Sequence, residues 1–202
     1  MCYNVRSDRL CQWKPQGAVG RTVMGKLYFV RHGESEWNVQ KKICGQTDIP
    51  LTDNGREQAR MSAARIIERG IRADEIWCSP LQRAKETAEI ISGITGIPVR
   101  VESRLIEQNF GSYEGKNWNT QDFFESKQRF ADDYEGGESM LRVAQRIYNV
   151  IDDVKASGKT IILAAHNGIV RSVQSYFHSE TNEEYASFGI PNCEVVEYTW
   201  ED

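Results

Sequence analysis

The chain contains 202 residues, with 25 lysines and arginines against 29 aspartates and glutamates, which gives a formal net charge of −4. This length suits one domain that buries roughly 70% of its unfolded surface, and the interspersed charges form no basic stripe, so we expect no nucleic-acid partner. We also expect no membrane partner and a cytoplasmic location, because no apolar run could span a bilayer and the N-terminus lacks a secretory apolar segment.

A change in composition near residue 24 marks the start of the predicted domain. Residues 1–23 are polar and aperiodic, with glycines and a proline among their charges. We expect a flexible N-terminal extension there and the folded domain over residues 24–202. Nothing in the composition of the extension indicates a function.

Short apolar runs predict the strands. In chain order they cover residues 27–30, 75–78, 99–101, 160–165 and 193–200. The fourth run is continuously apolar, as expected of a strand buried on both faces. The last strand could lie at a sheet edge, where pairing with a second copy would give a homodimer.

Segments with apolar residues at spacings of three and four predict helices between the strands. One is capped by Thr52 or Asp53, and another covers residues 138–156. Their apolar positions are Ala59, Ala63, Ile66 and Ile67 in the first helix, and Leu141, Ala144, Ile147, Tyr148, Ile151 and Val154 in the second. Two further helices carry Ala84, Ala88 and Ile91, and Val170, Val173 and Phe177. This alternation predicts an α/β fold, a three-layer helix/sheet/helix sandwich with a mainly parallel sheet.

Polar side chains follow three of the predicted strands. Arg31 and His32 follow the first strand, Arg83 lies shortly after the second, and His166 follows the fourth. Ligands of open α/β sheets bind beyond the carboxyl ends of the strands. If these strands are neighbours, the four side chains converge on one crevice.

This set of side chains suits phosphoryl transfer. Guanidinium groups bind tetrahedral oxyanions, and Arg83 would lie in the first turn of a helix, where free N–H groups also favour anions. A neutral imidazole such as that of His32 is a competent nucleophile toward phosphorus. The leaving oxygen needs a proton donor, for which Glu107 and Glu114 are the candidates, and we favour Glu107.

An ordered series of motifs carries a family resemblance. It consists of RHGESEWN (31–38), CGQTDIPLTDNGREQA (44–59), SPLQRA (79–84), Glu107 with Phe110-Gly111, Glu114-Gly115, GGES (136–139) and AHNG (165–168). The series resembles the histidine phosphatase superfamily, in its phosphoglycerate-mutase-like branch. An ordered set is far more specific than the RHG tripeptide alone.

The resemblance implies a role for each matching residue. His32 is expected to be the phosphorylated nucleophile and Glu107 the general acid and base. The expected phosphate pocket consists of Arg31, Asn38, Arg83 and His166. Gly45, Gln46 and Asn167 are expected to contact substrate. The family performs this chemistry without a metal, and we expect no cofactor.

Two departures from the family pattern bear on function. Asn167 intervenes between His166 and the glycine that usually follows it, so the loop could meet the phosphate differently. The chain also passes from Glu107 to Gly136 without the longer basic insertion of the cofactor-dependent mutases. We therefore expect a phosphomonoester phosphatase that acts on a small phosphorylated metabolite through a phosphohistidine intermediate. The alternatives are mutase-type phosphoryl transfer and a non-catalytic module that binds phosphorylated ligands.

The aromatic segment over residues 117–134 is expected to cap the pocket, and we favour core packing over direct substrate contact for its aromatic side chains. His178, which no glycine-rich loop follows, is expected to be structural.

Three other kinds of site are excluded, two by the spacing of their motif residues and one by the lack of a suitable set of metal ligands. SGKT (157–160) resembles part of a P-loop, but Asp153 holds the position of the required glycine. Cys78 and Arg83 have four residues between them, whereas cysteine phosphatases have five. The five cysteines include no C-x-x-C pair, and His32 with its neighbouring glutamates is no standard metal-ligand set. We therefore expect no metal site and reduced thiols.

Overall fold

The computed structural model describes residues 24–201, so the predicted extension over residues 1–23 lies outside the described residues. Five strands form one sheet: β1 (Met24–Arg31), β2 (Glu75–Cys78), β3 (Val99–Val101), β4 (Ile161–Ala165) and β5 (Val195–Glu201). Their order is β3-β2-β4-β1-β5. All pairs are parallel except β1 with β5. The mainly parallel sheet is confirmed, and the last strand lies at an edge.

Helices connect the strands. In chain order they are α1 (Glu36–Val39), α2 (Asp53–Glu68), α3 (Gln82–Thr95), α4 (Gln121–Ser126), α5 (Met140–Ser157), α6 (Asn167–Phe177) and α7 (Asn182–Ser187), with short 3₁₀ turns at Ser103–Leu105 and Gly111–Tyr113. The side chain of Thr52 caps α2, and that of Ser139 caps α5. No helix within residues 24–201 is long and apolar enough to cross a bilayer.

The central strands divide the core into two layers. Leu27 and Phe29 of β1 belong to a cluster with the apolar faces of α5 and α6, whereas Tyr28 and Val30 belong to a cluster with α2 and α3. The residues of β4 alternate in the same way between the two clusters. A strand that buries both faces must be apolar throughout, which explains the continuous run in β4. The predicted three-layer sandwich is confirmed.

The structure corrects some of the predicted boundaries and faces. Ile67 of α2 and Leu141 of α5 are 57% and 60% exposed, although both were predicted on apolar faces. Helical spacing places each of these residues next to the buried stripe of its helix, but the side chain itself lies outside that stripe. β5 begins at Val195 instead of residue 193, because Cys193 has a left-handed backbone with φ of 57°. β1 begins at Met24 and ends at Arg31, beyond both predicted limits.

Helix α5 provides a paired test of which positions stabilise the fold. Ile147 is completely buried and Leu141 is mainly exposed on the same helix. We expect Ile147→Ala to lower the free energy of unfolding by about 2–5 kcal/mol, because it leaves a cavity. Leu141→Ala should change it by less than about 0.5 kcal/mol. Urea denaturation measures both, and similar losses in the two variants would contradict the assignment of the buried face.

Candidate active site

The parallel pairing gathers the polar ends of three strands at one edge of the sheet. β4 lies between β1 and β2, and Arg31 is paired with Ala165 in register. The backbone N–H of His32 donates to the carbonyl of Ala165 at 2.8 Å. The imidazoles of His32 and His166 therefore meet, with 5.1 Å between ring centroids. Because β1 and β2 both lie next to β4, the ends of these three strands are adjacent in space, as expected from the sequence.

His32 is buried in a state suited to nucleophilic attack. Its Nδ1 lies 2.7 Å from the carbonyl oxygen of Gly33, and because a carbonyl can only accept, Nδ1 carries the proton. The lone pair is therefore on Nε2. Burial lowers the pKa of His32 well below its usual value, and the charges of Arg83 and Arg31 lower it further. The ring is neutral at pH 7 and lines a cavity of about 420 Å³.

The guanidinium groups of Arg31 and Arg83 are held by carbonyl oxygens. Arg31 donates to Ile190 at 2.7 Å, and Arg83 donates to Thr47 at 3.0 Å and Gly45 at 2.8 Å. Neither forms a salt bridge with any carboxylate of residues 24–201. The Nε atoms of both are buried without a hydrogen-bond partner. Burial lowers the pKa of Arg31 to about 10, so it stays charged at neutral pH. Arg31 is half-buried and lines the cavity, whereas Arg83 is completely buried and does not line it. Two cations without a carboxylate partner favour the binding of an anion nearby.

Glu107 is a buried carboxylate at the same cavity. Its oxygens accept hydrogen bonds from the backbone N–H groups of Gln108 and Gly168, both at 2.8 Å. Burial raises the pKa of Glu107, although these two hydrogen bonds and the nearby arginines oppose the shift. A carboxyl with a raised pKa can carry a proton near neutrality and donate it.

Glu114, the other predicted proton-donor candidate, has a different position. It is absent from the cavity wall, and its carboxylate accepts from the backbone N–H groups of Gln46 at 2.8 Å and Thr47 at 3.2 Å. These contacts fix the loop over residues 45–47, whose carbonyl oxygens hold Arg83. The geometry therefore favours Glu107 over Glu114.

His166 is completely buried against His32 and does not line the cavity. Its Nε2 lies 2.7 Å from the hydroxyl of Ser79, and its Nδ1 has no partner within the described residues. Burial lowers the pKa of His166 well below its usual value, and Arg83 and His32 add to the shift. The arrangement places a second neutral imidazole next to His32.

The residues predicted to bind substrate divide into two groups. Asn38 and Asn167 line the cavity, and the side-chain oxygen of each is occupied by a backbone N–H, from Ser35 at 3.0 Å and Ile190 at 2.9 Å. Their amide nitrogens remain as possible donors to a ligand. Gly45 and Gln46 do not line the cavity. The carbonyl of Gly45 holds Arg83, and the side chain of Gln46 donates to the carbonyl of Glu107 at 3.1 Å.

Several cavity residues were missed from the sequence. The side chain of Asn192 donates to the carbonyl of His32 at 2.7 Å, yet the sequence carried no signal for it. Lys42, Lys127 and Arg171 also line the cavity. Arg171 had a detectable signal, because it interrupts an otherwise apolar helical face.

The cap segment differs in part from the prediction. Phe123 is buried and packs edge-on against Phe110, as predicted for core packing. However, Phe123, Trp118 and Lys127 also line the cavity. Within residues 24–201, no three His, Cys, Asp or Glu side chains are grouped as metal ligands would be.

Comparisons with known proteins identify the family of the chain. Residues 27–202 match the sequence profile of the Histidine phosphatase superfamily (branch 1). "Probable phosphoglycerate mutase GpmB" of Photorhabdus laumondii is 37% identical over 152 residues, covering 71% of this chain and 70% of that protein. A "2,3-bisphosphoglycerate-dependent phosphoglycerate mutase" of Bifidobacterium longum is 28% identical over 204 residues, with 83% of each chain covered.

Solved structures show the same fold. A mycobacterial glucosyl-3-phosphoglycerate phosphatase is 25% identical with a TM-score of 0.77, covering 88% of this chain and 91% of that chain. A structure of that phosphatase complexed with VO3 has a TM-score of 0.75 at 25% identity, covering 86% and 90%. The protein TTHB049 of Thermus thermophilus is 30% identical with a TM-score of 0.69, covering 85% and 92%.

The contact between Gly168 and Glu107 can be tested with a pair of glycine variants. A Cβ at Gly168 would lie 2.3 Å from Oε1 of Glu107, whereas a Cβ at Gly93 in α3 would meet nothing within 4 Å. We expect Gly168→Ala to lower the free energy of unfolding by about 1–3 kcal/mol through overpacking. Gly93→Ala should raise it by about 0.5–1 kcal/mol, because alanine favours the helix. Urea denaturation measures both, and an unchanged stability of Gly168→Ala would show that the carboxylate is not held so closely.

Proposed function

The chain belongs to the histidine phosphatase superfamily, and on this premise we propose that it is a phosphomonoester hydrolase that transfers the phosphoryl group first to His32 and then to water. The observation that carries the proposal is the buried, neutral His32 ring, whose Nδ1 is occupied by Gly33 while Nε2 keeps its lone pair at the cavity. The cavity of about 420 Å³ has the size of a small-molecule site, which supports a small phosphorylated metabolite as substrate.

In the first proposed step, Nε2 of His32 attacks phosphorus and the ester P–O bond breaks. Arg31 and Arg83 stabilise the charge on the phosphoryl oxygens, with Asn38 and Asn167 as further donors. His166, neutral and in contact with His32, is proposed to complete the phosphate pocket. The leaving oxygen takes a proton from Glu107, so the products of this step are the free alcohol and a phosphohistidine.

In the second step, water attacks the phosphohistidine. Glu107, now a carboxylate, takes a proton from the water, the P–N bond breaks, and His32 regains its lone pair. Inorganic phosphate then leaves. The positive charge that a metal would supply in other phosphatases comes here from guanidinium groups, so the proposed steps use no metal or cofactor.

A second candidate function is mutase-type transfer, which the names of the two curated relatives favour. The two candidates differ in the molecule that accepts the phosphoryl group from the histidine. A mutase passes the phosphoryl group from the histidine to a second bound substrate, which must be held while water is excluded. The short connection between Glu107 and Gly136 favours water as the acceptor. The phosphatase among the structural neighbours also supports hydrolysis.

The nucleophile can be tested with two histidine variants. We expect His32→Ala to lower the hydrolysis of p-nitrophenyl phosphate in EDTA by about a thousandfold or more, because the covalent route is lost. His178→Ala is the matched control, since His178 is exposed and absent from the cavity, and it should keep wild-type activity. Full activity of His32→Ala would remove His32 from its role, and no activity in the wild type would favour a non-catalytic binding module.

The same preparation distinguishes hydrolysis from transfer. A trapped phosphoenzyme should be acid-labile and alkali-stable, as expected of a phosphoramidate, and absent from His32→Ala. We expect inorganic phosphate to accumulate from 3-phosphoglycerate. Interconversion of phosphoglycerates without phosphate release would support the mutase candidate instead. Orthovanadate, which can mimic the pentacoordinate phosphorus of the transition state, should inhibit the wild type.

The general acid can be tested by changing the leaving group. Glu107→Gln should lower kcat/KM for an alkyl ester such as glycerol 3-phosphate by about 10²–10⁴-fold, because an alkoxide needs a proton to leave. The loss for p-nitrophenyl phosphate should be much smaller, since p-nitrophenolate leaves unprotonated.

The pH dependence gives an independent readout of Glu107. Because burial raises the pKa of Glu107, the acid form persists above the ordinary carboxyl range. The value of kcat/KM for the alkyl ester should fall as pH rises through that raised pKa, and this fall should be absent in Glu107→Gln. Equal losses for both esters at every pH would indicate a structural role only.

A further inference from the structure

A second cavity of about 380 Å³ lies between helix α5, the end of α6 and helix α7. Among the described residues, it shares no lining residue with the cavity that contains His32. Its volume lies within the range of small-molecule sites. The proposed transfer steps do not use it.

One wall of the second cavity is apolar. It contains side chains from α5, α7 and the segment before α5, namely Phe130, Met140, Leu141, Ala144, Tyr148 and Tyr185. Met140 and Tyr185 are almost completely buried, whereas Leu141 is 60% exposed. A single exposed leucine is common on soluble proteins, so this wall alone does not identify a ligand.

The polar side of the second cavity holds a carboxylate without a partner. Glu180 lines the cavity, and its Oε2 is buried without a hydrogen-bond partner within the described residues. Glu180 also forms no salt bridge with any cation of residues 24–201. Burial raises the pKa of Glu180, the nearby Glu184 adds to the shift, and His178 opposes it. A carboxylate that loses water without gaining a donor is destabilising unless a cation binds.

The neighbouring carboxylate of Glu184 is already satisfied. It accepts from the backbone N–H of Thr181 at 2.7 Å and from the hydroxyl of Thr181 at 2.9 Å, in the capping box of α7. No lysine or arginine of the described residues lines the second cavity. The cavity therefore has a carboxylate and an apolar wall but no cation of its own, apart from the weakly basic ring of His178.

We propose that the second cavity binds an organic cation, an ammonium or guanidinium group attached to an apolar body. The cation would pair with Glu180, whose carboxylate can turn about its soft terminal torsion to present Oε2. The apolar body would lie against Leu141 and the aromatic rings, where Tyr148 could add a cation–π contact. Because the two cavities have separate linings, this inference does not depend on the proposed function.

The two cavities border one apolar cluster. Met140 and Tyr185 line the second cavity, and Ile43, Phe110 and Phe123 line the first, yet all five belong to the same buried cluster. A ligand in the second cavity would contact this cluster without occupying the space around His32. We therefore expect the cation to bind together with substrate and not in competition with it.

The test compares two ligands that differ in charge. At pH 7, 2-phenylethylamine is a cation, and 2-phenylethanol is its neutral counterpart. In calorimetric titrations of the full chain, we expect the amine to bind at least about tenfold more tightly than the alcohol. Glu180→Gln should weaken binding of the amine by about tenfold or more and change binding of the alcohol by less than about threefold. Leu141→Ala should weaken binding of both ligands by about three- to tenfold, because it removes apolar contact.

Glu183→Gln is the matched control. Glu183 is exposed on α7 and does not line the second cavity, so this variant removes the same charge at a nearby position and should bind the amine as the wild type does. Thermal melting checks the fold of each variant. If Glu180→Gln is misfolded, Leu141→Ala carries the test, since it changes an exposed side chain.

Four outcomes would overturn the proposal. Two of them are equal binding of amine and alcohol by the wild type, and equal losses in Glu180→Gln and Glu183→Gln. A rise in KM for p-nitrophenyl phosphate with kcat unchanged would place the amine in the first cavity. Self-association in analytical ultracentrifugation that Leu141→Ala abolishes would assign the apolar wall to a second copy of the chain. Failure of the proposed function is distinguishable, because the calorimetric comparisons need no phosphatase activity.

Discussion

The candidate site depends on how two guanidinium groups are held, that of the half-buried Arg31 and that of the completely buried Arg83. Arg31 and Arg83 are fixed by the carbonyl oxygens of Ile190, Thr47 and Gly45 instead of by carboxylates. A carbonyl orients a guanidinium group without neutralising it, so the charge remains available to an anion. Gly45 and Thr47 belong to one loop, and Ile190 belongs to another that is distant in sequence. The site therefore requires the complete fold, and residues that never meet the substrate, such as Glu114 through the loop it anchors, contribute to it.

Burial shifts the pKa values of the proposed nucleophile and the proposed proton donor in opposite directions. It lowers the pKa of His32 and raises the pKa of Glu107, so both tend toward their neutral forms. A neutral imidazole is the nucleophilic form, and a neutral carboxyl is the acid. One property of the site, the burial of both side chains, thus favours the form of each group that the proposed first step needs. The arginines strengthen the effect at His32 and oppose it at Glu107.

The sequence predicts the parts of this structure that follow from local periodicity. The strand after residue 160 and the helix after Ser139 are confirmed, and the order of strands explains why the ends at His32 and His166 meet. Helical spacing could not show that Leu141 lies outside the buried stripe, because that depends on how the helix is rotated against the sheet. Asn192 reaches His32 only through long-range packing, so no local pattern identified it. The same holds for the loop carbonyls that fix the arginines.

Helix α6 links two of the buried groups at the site. His166 directly precedes its first residue, and the backbone N–H of Gly168 in its first turn donates to the carboxylate of Glu107. A helix is rigid over this distance, so the backbone fixes the carboxylate of Glu107 relative to His166. Because the ring of His166 packs against that of His32, the same helix end also holds Glu107 in a defined position relative to His32, without any closure of a loop at α6.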